Sequence, residues 1–324
     1  MKLHENKQLF ADAVRATAEM MGIAPEFVEK DYWICQILQR LSRHPDADRI
    51  IWKGGTSLSK AYSLVKRFSS DVDFAVVSGE LSPSQLKQLI TRISKDTTTD
   101  LTEKEVEGGS KKIGRYRKTY HEYDSVIAQR NARYNFLGNH VVVEINTYGN
   151  PFPHAEKQIS TFIADMMKQR GLDKMIAEMD MEPFALNVLD KRRTLSEKVA
   201  SLLRFSFDDD HIKGLSARIR HFYDLCFLTQ DEECKAYLQT DFAHDLLDLI
   251  EHDKREYDRP PLWRDADLHT SILFTDFDAL WKKLAPLYES EVGALSYGDL
   301  PSKDTIAESM KGLLERVKGI IKQN

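Results

Sequence analysis

Two aspartates one residue apart, Asp71 and Asp73, open the run Asp71–Val72–Asp73–Phe74–Ala75–Val76–Val77. Side chains alternate faces along a strand, so the two carboxylates would point the same way. Like charges side by side on one face are unfavourable unless something positive lies between them. Magnesium suits that place, because it takes oxygen ligands and binds through one or two carboxylates together with phosphates. Upstream, Gly54–Gly55–Thr56–Ser57 follows the apolar run Ile50–Ile51–Trp52. The glycines allow a turn whose N–H groups face an anion. A short helix starting after Thr56 and Ser57 would turn its positive end to the same point. Strand, glycine turn, helix and acidic strand would bring phosphate donors and metal ligands together. Neither the Walker-type nor the dinucleotide-binding glycine pattern occurs in the stretch.

Other elements must hold this stretch in place. Helical spacing predicts a helix over 5–21, ended by Gly22, and a second over 25–41 with Pro25 in its first turn. The middle of the second reads Val28–Glu29–Lys30–Asp31–Tyr32–Trp33. Its charges fit a solvated helix face, or else one of them supports the turn that follows. An amphipathic helix is expected over 82–94 and two strands around Gly108–Gly109. The alternating basic and aromatic residues of 114–123 suggest an exposed strand, whereas 124–139 reads as helix or loop. His140–Thr147 is a β-branched strand with Glu144 as the lone charge in its apolar centre. A helix over 157–167 and a strand over 184–189 follow. From Thr194 on the pattern is helical, opening on a capping box with Thr194 as N-cap and Glu197 three residues later. Further helices fit 211–228, 243–252, 276–287 and 305–321. The fold class is therefore α+β: a mixed sheet flanked by helices over 1–190, then an all-helical domain over 191–324.

The bulk numbers are those of a soluble globular protein. Of 324 residues, 42% are hydrophobic and 30% charged, and the net charge of −5 gives no global field to attract nucleic acid. Cys35, Cys226 and Cys234 have no metal-site spacing and form no even disulfide framework, which fits a reducing cytoplasm. The start has no apolar leader-like region, and no apolar run approaches about eighteen residues, so no membrane span is expected.

The stretch from Gly54–Gly55–Thr56–Ser57–Leu58 to Arg67–Phe68–Ser69–Ser70–Asp71–Val72–Asp73–Phe74 resembles the signature of DNA polymerase β-like nucleotidyltransferases. More closely, it resembles AbiEii-type toxins of abortive-infection, type IV toxin–antitoxin systems. Residues 28–33, Thr194–Leu195–Ser196–Glu197–Lys198 and Arg220–His221–Phe222–Tyr223–Asp224–Leu225 resemble further segments of that family, so the likeness spans roughly 28–225. It implies a polymerase β-like domain closed over by a helical bundle. It implies Mg2+ on Asp71 and Asp73, and triphosphate contact by the turn, Gly54, Gly55, Thr56 and Ser57. Ser69 maps to a serine that matters in related toxins, and Lys198 and Asp224 map to the lysine and aspartate that complete the site. His221 departs from the family, which has aspartate there.

Several residues keep two readings. Glu144 is either a solvent-facing carboxylate at a sheet edge or a third metal ligand. Lys198 is a surface helix lysine or a neutraliser of the β- and γ-phosphates. Asp224 is a structural salt bridge or an active-site orienter. Arg67 is a candidate phosphate contact. The strand Arg115–Tyr116–Arg117–Lys118–Thr119–Tyr120 is a charge-protected edge or, with Lys191–Arg192–Arg193, a nucleic-acid patch. The expected activity is magnesium-dependent transfer of a nucleoside monophosphate from an NTP to an acceptor hydroxyl. By resemblance the acceptor is RNA, a tRNA 3′ end foremost, lying in the cleft between the domains, and an antitoxin is the cognate partner. The alternatives are a non-catalytic NTP- or RNA-binding module and a transferase acting on a small molecule or protein.

Overall fold

Alternating apolar residues build one mixed sheet, which carries the site. In the computed structural model, which describes residues 1–69 and 71–323, the chain divides into two compact units. The first comprises Met1–Ala61 and Phe68–Leu189, the second Tyr62–Arg67 and Asp190–Asn324. A piece of the signature, 62–67, groups with the second unit.

The first unit holds strands β1 (Ile50–Lys53), β2 (Asp71–Val76), β3 (Thr102–Lys104), β4 (Lys111–Ile113), β5 (Tyr116–Glu122), β6 (His140–Asn146), β7 (His154–Ile159) and β8 (Phe184–Leu189). Their order is β3-β5-β6-β2-β1-β8-β7, with β4 also paired to β5. β2 lies between antiparallel β1 and parallel β6, and β1 runs parallel to β8. The helices of this unit are α1 (Lys7–Met21), α2 (Pro25–Ser42), α3 (Gly55–Lys60), α4 (Pro83–Thr97), α5 (Phe162–Gln169) and α6 (Asp173–Glu178). The Asn6 side chain caps α1, which ends at left-handed Gly22, and Ser82 with Gln85 forms a capping box on α4. α2 packs on β6 and β8, and α4 on β5 and β6. Trp52, Val72, Phe74, Val141, Val143 and Ile145 are fully buried at the centre of the sheet.

The second unit is helical: α7 (Lys191–Phe205), α8 (His211–Ser216), α9 (Ile219–Leu228), α10 (Glu232–Gln239), α11 (Phe242–Glu256), α12 (Ile272–Thr275), α13 (Phe277–Leu287), α14 (Gly293–Leu295) and α15 (Lys303–Lys322). Its core includes Leu203, Phe222, Tyr223, Leu225, Trp263, Leu284 and Tyr288. All three cysteines are free and buried. No helix among the described residues is long and apolar enough to cross a membrane.

Several expectations change. The span 157–167 is the end of β7 followed by α5 rather than one helix. α7 starts one turn earlier than expected, because Asp190 is its N-cap and accepts the Arg192 N–H; Thr194 lies inside the helix and donates to the Asp190 carbonyl. The span 211–228 is two helices, α8 and α9. β5 is not an edge strand: β6 lies on one side and β3 and β4 share the other, with Thr119 and His121 buried. The two strands expected around Gly108–Gly109 are β3 and β4, and both pair with β5. Segment 124–139 is mostly loop, with a 3-10 turn at Ala132–Leu137.

Candidate active site

Strand register sets which charges meet. Lys53 stands opposite Asp73 on the β1 side, and Glu144 is its neighbour on β6. On β5, Lys118 stands opposite Glu144, and on β4 Lys111 stands opposite Lys118. Residues in register share a face. One face of the sheet therefore carries the row Lys111, Lys118, Glu144, Asp73, Lys53, with Asp71 two residues from Asp73 on the same face. Asp71 and Asp73 are half-buried, while Val72 and Phe74 between and beyond them point into the core.

The glycine turn is joined to this acidic strand directly. Gly54 has φ 86° and ψ −170°, a region essentially reserved for glycine. A Cβ at Gly54 would lie 2.2 Å from Asp73 Oδ2. The absent side chain is thus the space in which the Asp73 carboxylate sits. Thr56 Oγ1 donates to the Asp71 carbonyl at 2.6 Å, and Ser57 Oγ to the Gly54 carbonyl at 2.8 Å. Both hydroxyls are buried and serve the turn. Gly55 is the first residue of α3, and Ser69 is buried just ahead of the acidic strand.

α2 supports the far end of α3. Asp31 is ion-paired to Lys60 at 2.6 Å, with side chains 3% and 7% exposed. Asp31 also accepts the Phe162 N–H at 2.8 Å, and the Lys60 ammonium stands 4.2 Å above the Phe162 ring. The solvated-face reading of 28–33 is therefore overturned: Glu29, Lys30 and Asp31 are all buried. Glu29 accepts from Ser125 Oγ and the Val126 N–H, and Glu26 from the Asn131 N–H. The Lys30 ammonium donates to the Leu137 carbonyl. Burial brings its pKa down to about 7, against the pull of the Asp71 carboxylate.

Glu144 is on a central strand and half-buried, not at a solvent-facing edge. Both its oxygens hold donors: Lys118 Nζ lies 2.6 Å from Oε1, and Tyr116 Oη donates to Oε2 at 2.8 Å. Among the described residues no group of three or more His, Cys, Asp or Glu is arranged to hold a metal ion. Two same-face carboxylates still fit magnesium, which draws the rest of its shell from water and phosphate. The Lys118 and Tyr116 clasp was missed in the sequence. Its only signal there was alternation along 116–120, which puts both side chains on one face.

The second unit has its own charged centre. Asp224 of α9 takes Arg67 in a bidentate grip, Nε at 2.7 Å and Nη2 at 2.6 Å, and Lys198 Nζ of α7 lies 2.8 Å from Oδ2. Arg67, Lys198 and Asp224 are all buried, so Lys198 is not a surface lysine. Burial alone would raise the Asp224 carboxyl, but the Arg67 and Lys198 charges hold it well below the usual carboxylate range. At the departing position, burial keeps the His221 imidazole neutral, well below its ordinary range.

Residues 36–309 match the family described as nucleotidyl transferase AbiEii toxin, type IV TA system. A search of curated proteins finds no match. Among solved structures the chain is similar to MenT4, a nucleotidyltransferase toxin from Mycobacterium tuberculosis. The identity is 14% and the TM-score 0.49, over 95% of this chain and 98% of that one.

Proposed function

The chain belongs to the AbiEii family, the nucleotidyltransferase toxins of type IV toxin–antitoxin systems, and from that premise we propose that it transfers a nucleoside monophosphate from an NTP to an acceptor hydroxyl of RNA, a tRNA 3′ end foremost. The observation that carries this reading is the fit of the Asp73 carboxylate against Gly54. It joins the carboxylate pair and the glycine turn at one point on the sheet. A pure nucleotide binder has no need to gather acidic groups beside phosphates.

Asp71 and Asp73 would hold Mg2+, which supplies Lewis-acid stabilisation of the charge that develops on the transferring phosphoryl group. The turn's own work is positional. Its backbone N–H groups would orient the triphosphate, while Thr56 and Ser57 hold the turn rigid through the Asp71 and Gly54 carbonyls. Little covalent chemistry is required of the protein in such a transfer, so positioning and preorganised charge carry the rate. Lys198, Asp224 and Ser69 enter the proposal through the resemblance alone. Family membership implies an NTP substrate and an antitoxin partner; growth arrest through modified RNA, in the cytoplasm, would be the biological output.

Radiolabel transfer tests the proposal. The full-length protein is incubated with each α-labelled NTP and total cellular RNA, with Asp71→Ala and Asp73→Ala as controls. Label should enter RNA of tRNA size with the wild type and vanish with both variants. Equal labelling by the variants would refute the role of the aspartates. Label on protein or on a small molecule, and none on RNA, would refute the acceptor.

A further inference from the structure

Glu144 and Asp73 are in-register neighbours on adjacent strands, which run about 4.8 Å apart. Two carboxylates so placed repel, and they need a proton, a metal ion or a protein cation beside them. Here the protein supplies the cation. Lys118, in register on the far side of Glu144, places Nζ 2.6 Å from Oε1, and Tyr116 on the same strand donates to Oε2. Both donors belong to β5, on the opposite side of β6 from Asp71 and Asp73, so they draw the carboxylate away from the aspartates. Lys111, opposite Lys118 on β4, adds a like charge on the outer side and disfavours swinging the ammonium outward.

We propose that Lys118 is the built-in counter-ion of the acidic row and, with Tyr116, holds Glu144 out of the divalent-ion site. The chain then offers the ion two carboxylates rather than three. With so few protein oxygens the ion binds weakly alone, and nucleotide phosphates complete its shell. Lys118 is in this sense a positioning residue: it makes divalent-ion loading depend on nucleotide. The proposal rests on the reading that Asp71 and Asp73 hold the ion.

The experiment is Mn2+ binding to the full-length protein without nucleotide, with free Mn2+ read by electron paramagnetic resonance. Lys118→Met should tighten binding by about ten-fold, and Lys118→Arg, which keeps the cation, should leave it near wild type. Adding Glu144→Gln to Lys118→Met should remove the gain. So should Glu144→Asp, which keeps the negative charge but shortens its reach by one methylene. If the gain survives Glu144→Asp, the effect is a general field and the proposal fails. It fails equally if Lys118→Met binds no tighter. Thermal melts report whether each variant folds, and Lys118→Gln stands in for the methionine variant if that one does not. Mn2+ binding that survives Asp71→Asn/Asp73→Asn in the Lys118→Met background would refute the preceding reading of the ion site, and the counter-ion assignment with it.

Discussion

Gly54→Ala should damage the proposed active site far more than the fold. Two costs arise at this position. The backbone, at φ 86° and ψ −170°, lies where a side chain is strained, by about 1–3 kcal/mol. The new Cβ would also sit 2.2 Å from Asp73 Oδ2 and 3.1 Å from its Cγ. The carboxylate is the movable party, so it should rotate away and relieve most of the clash. Stability then falls by little more than the backbone term, a melting shift of a few degrees at about 2–4 °C per kcal/mol. Activity should fall much further, since a displacement of about 1 Å in a reacting constellation can cost about a hundredfold. Gly22→Ala is the matched control: Gly22 has φ 66°, yet nothing lies within 4 Å of its would-be Cβ. It should lose stability by a similar amount and keep its transfer rate. The assays are single-turnover NMP transfer and thermal unfolding on both variants. Transfer by Gly54→Ala within about twofold of Gly22→Ala would refute the coupling of turn and carboxylate, since a true misplacement predicts a far larger gap.

Three further outcomes follow from the buried charges. Asp224→Asn leaves Arg67 and Lys198 without their full counter-charge, and chemical denaturation should show a loss of about 3–5 kcal/mol. Because the folded Asp224 carboxyl is held below its unfolded value, its stabilisation is complete above about pH 4 to 5 and fades as pH falls further, so the deficit of the variant should shrink in acid. Lys60→Met strands Asp31 and should cost a similar amount, about 3–5 kcal/mol, whereas Asp31→Leu/Lys60→Met should recover part of it. Lys30 has the same pH sign in a higher range, as a burial penalty that is relieved when the proton leaves. The unfolded chain keeps its proton to about pH 10.4, the folded one only to about 7. The unfolded state therefore binds more protons between those values and stability from this residue rises with pH. Urea melts of Lys30→Met should lack that rise, and an unchanged slope between pH 7.5 and 9.5 would refute it.

The glycine turn and the acidic strand were legible because their signals are local. Apolar runs, a double glycine and two carboxylates at strand spacing lie in one stretch, and β1, β2, β6 and β8 stand close to where their patterns put them. β7 was not legible, since His154–Ile159 is largely polar and only Ile159 is buried. Ile159 also falls four, seven and eight residues before Ile163, Met166 and Met167, which imitates a helix across the strand–helix junction. The middle of α2 failed for a different reason. Its charges look solvated in any local window, but each is satisfied by a group far along the chain: Glu29 by Val126, Lys30 by Leu137, Asp31 by Lys60. Glu144 likewise could be weighed but not resolved, because its partners depend on a strand register that the sequence does not state.

That dependence explains why a signature in this chain comes in two pieces. Gly54 and Asp73 belong to different elements but compete for a single volume, and neither can change alone. Thr56 ties the same turn to the Asp71 carbonyl, and Asp31 holds the other end of α3 through Lys60. The turn is thus clamped to β2 at one end and to α2 at the other, with the carboxylates fixed as a consequence. A substitution in the turn is for this reason a test of Asp71 and Asp73, even though it replaces neither of them. The acidic row adds a second constraint from the opposite side: Lys53 and Lys118 bracket Asp73 and Glu144 in register, so the carboxylates are held by neutralising charge across the sheet as well as by the turn.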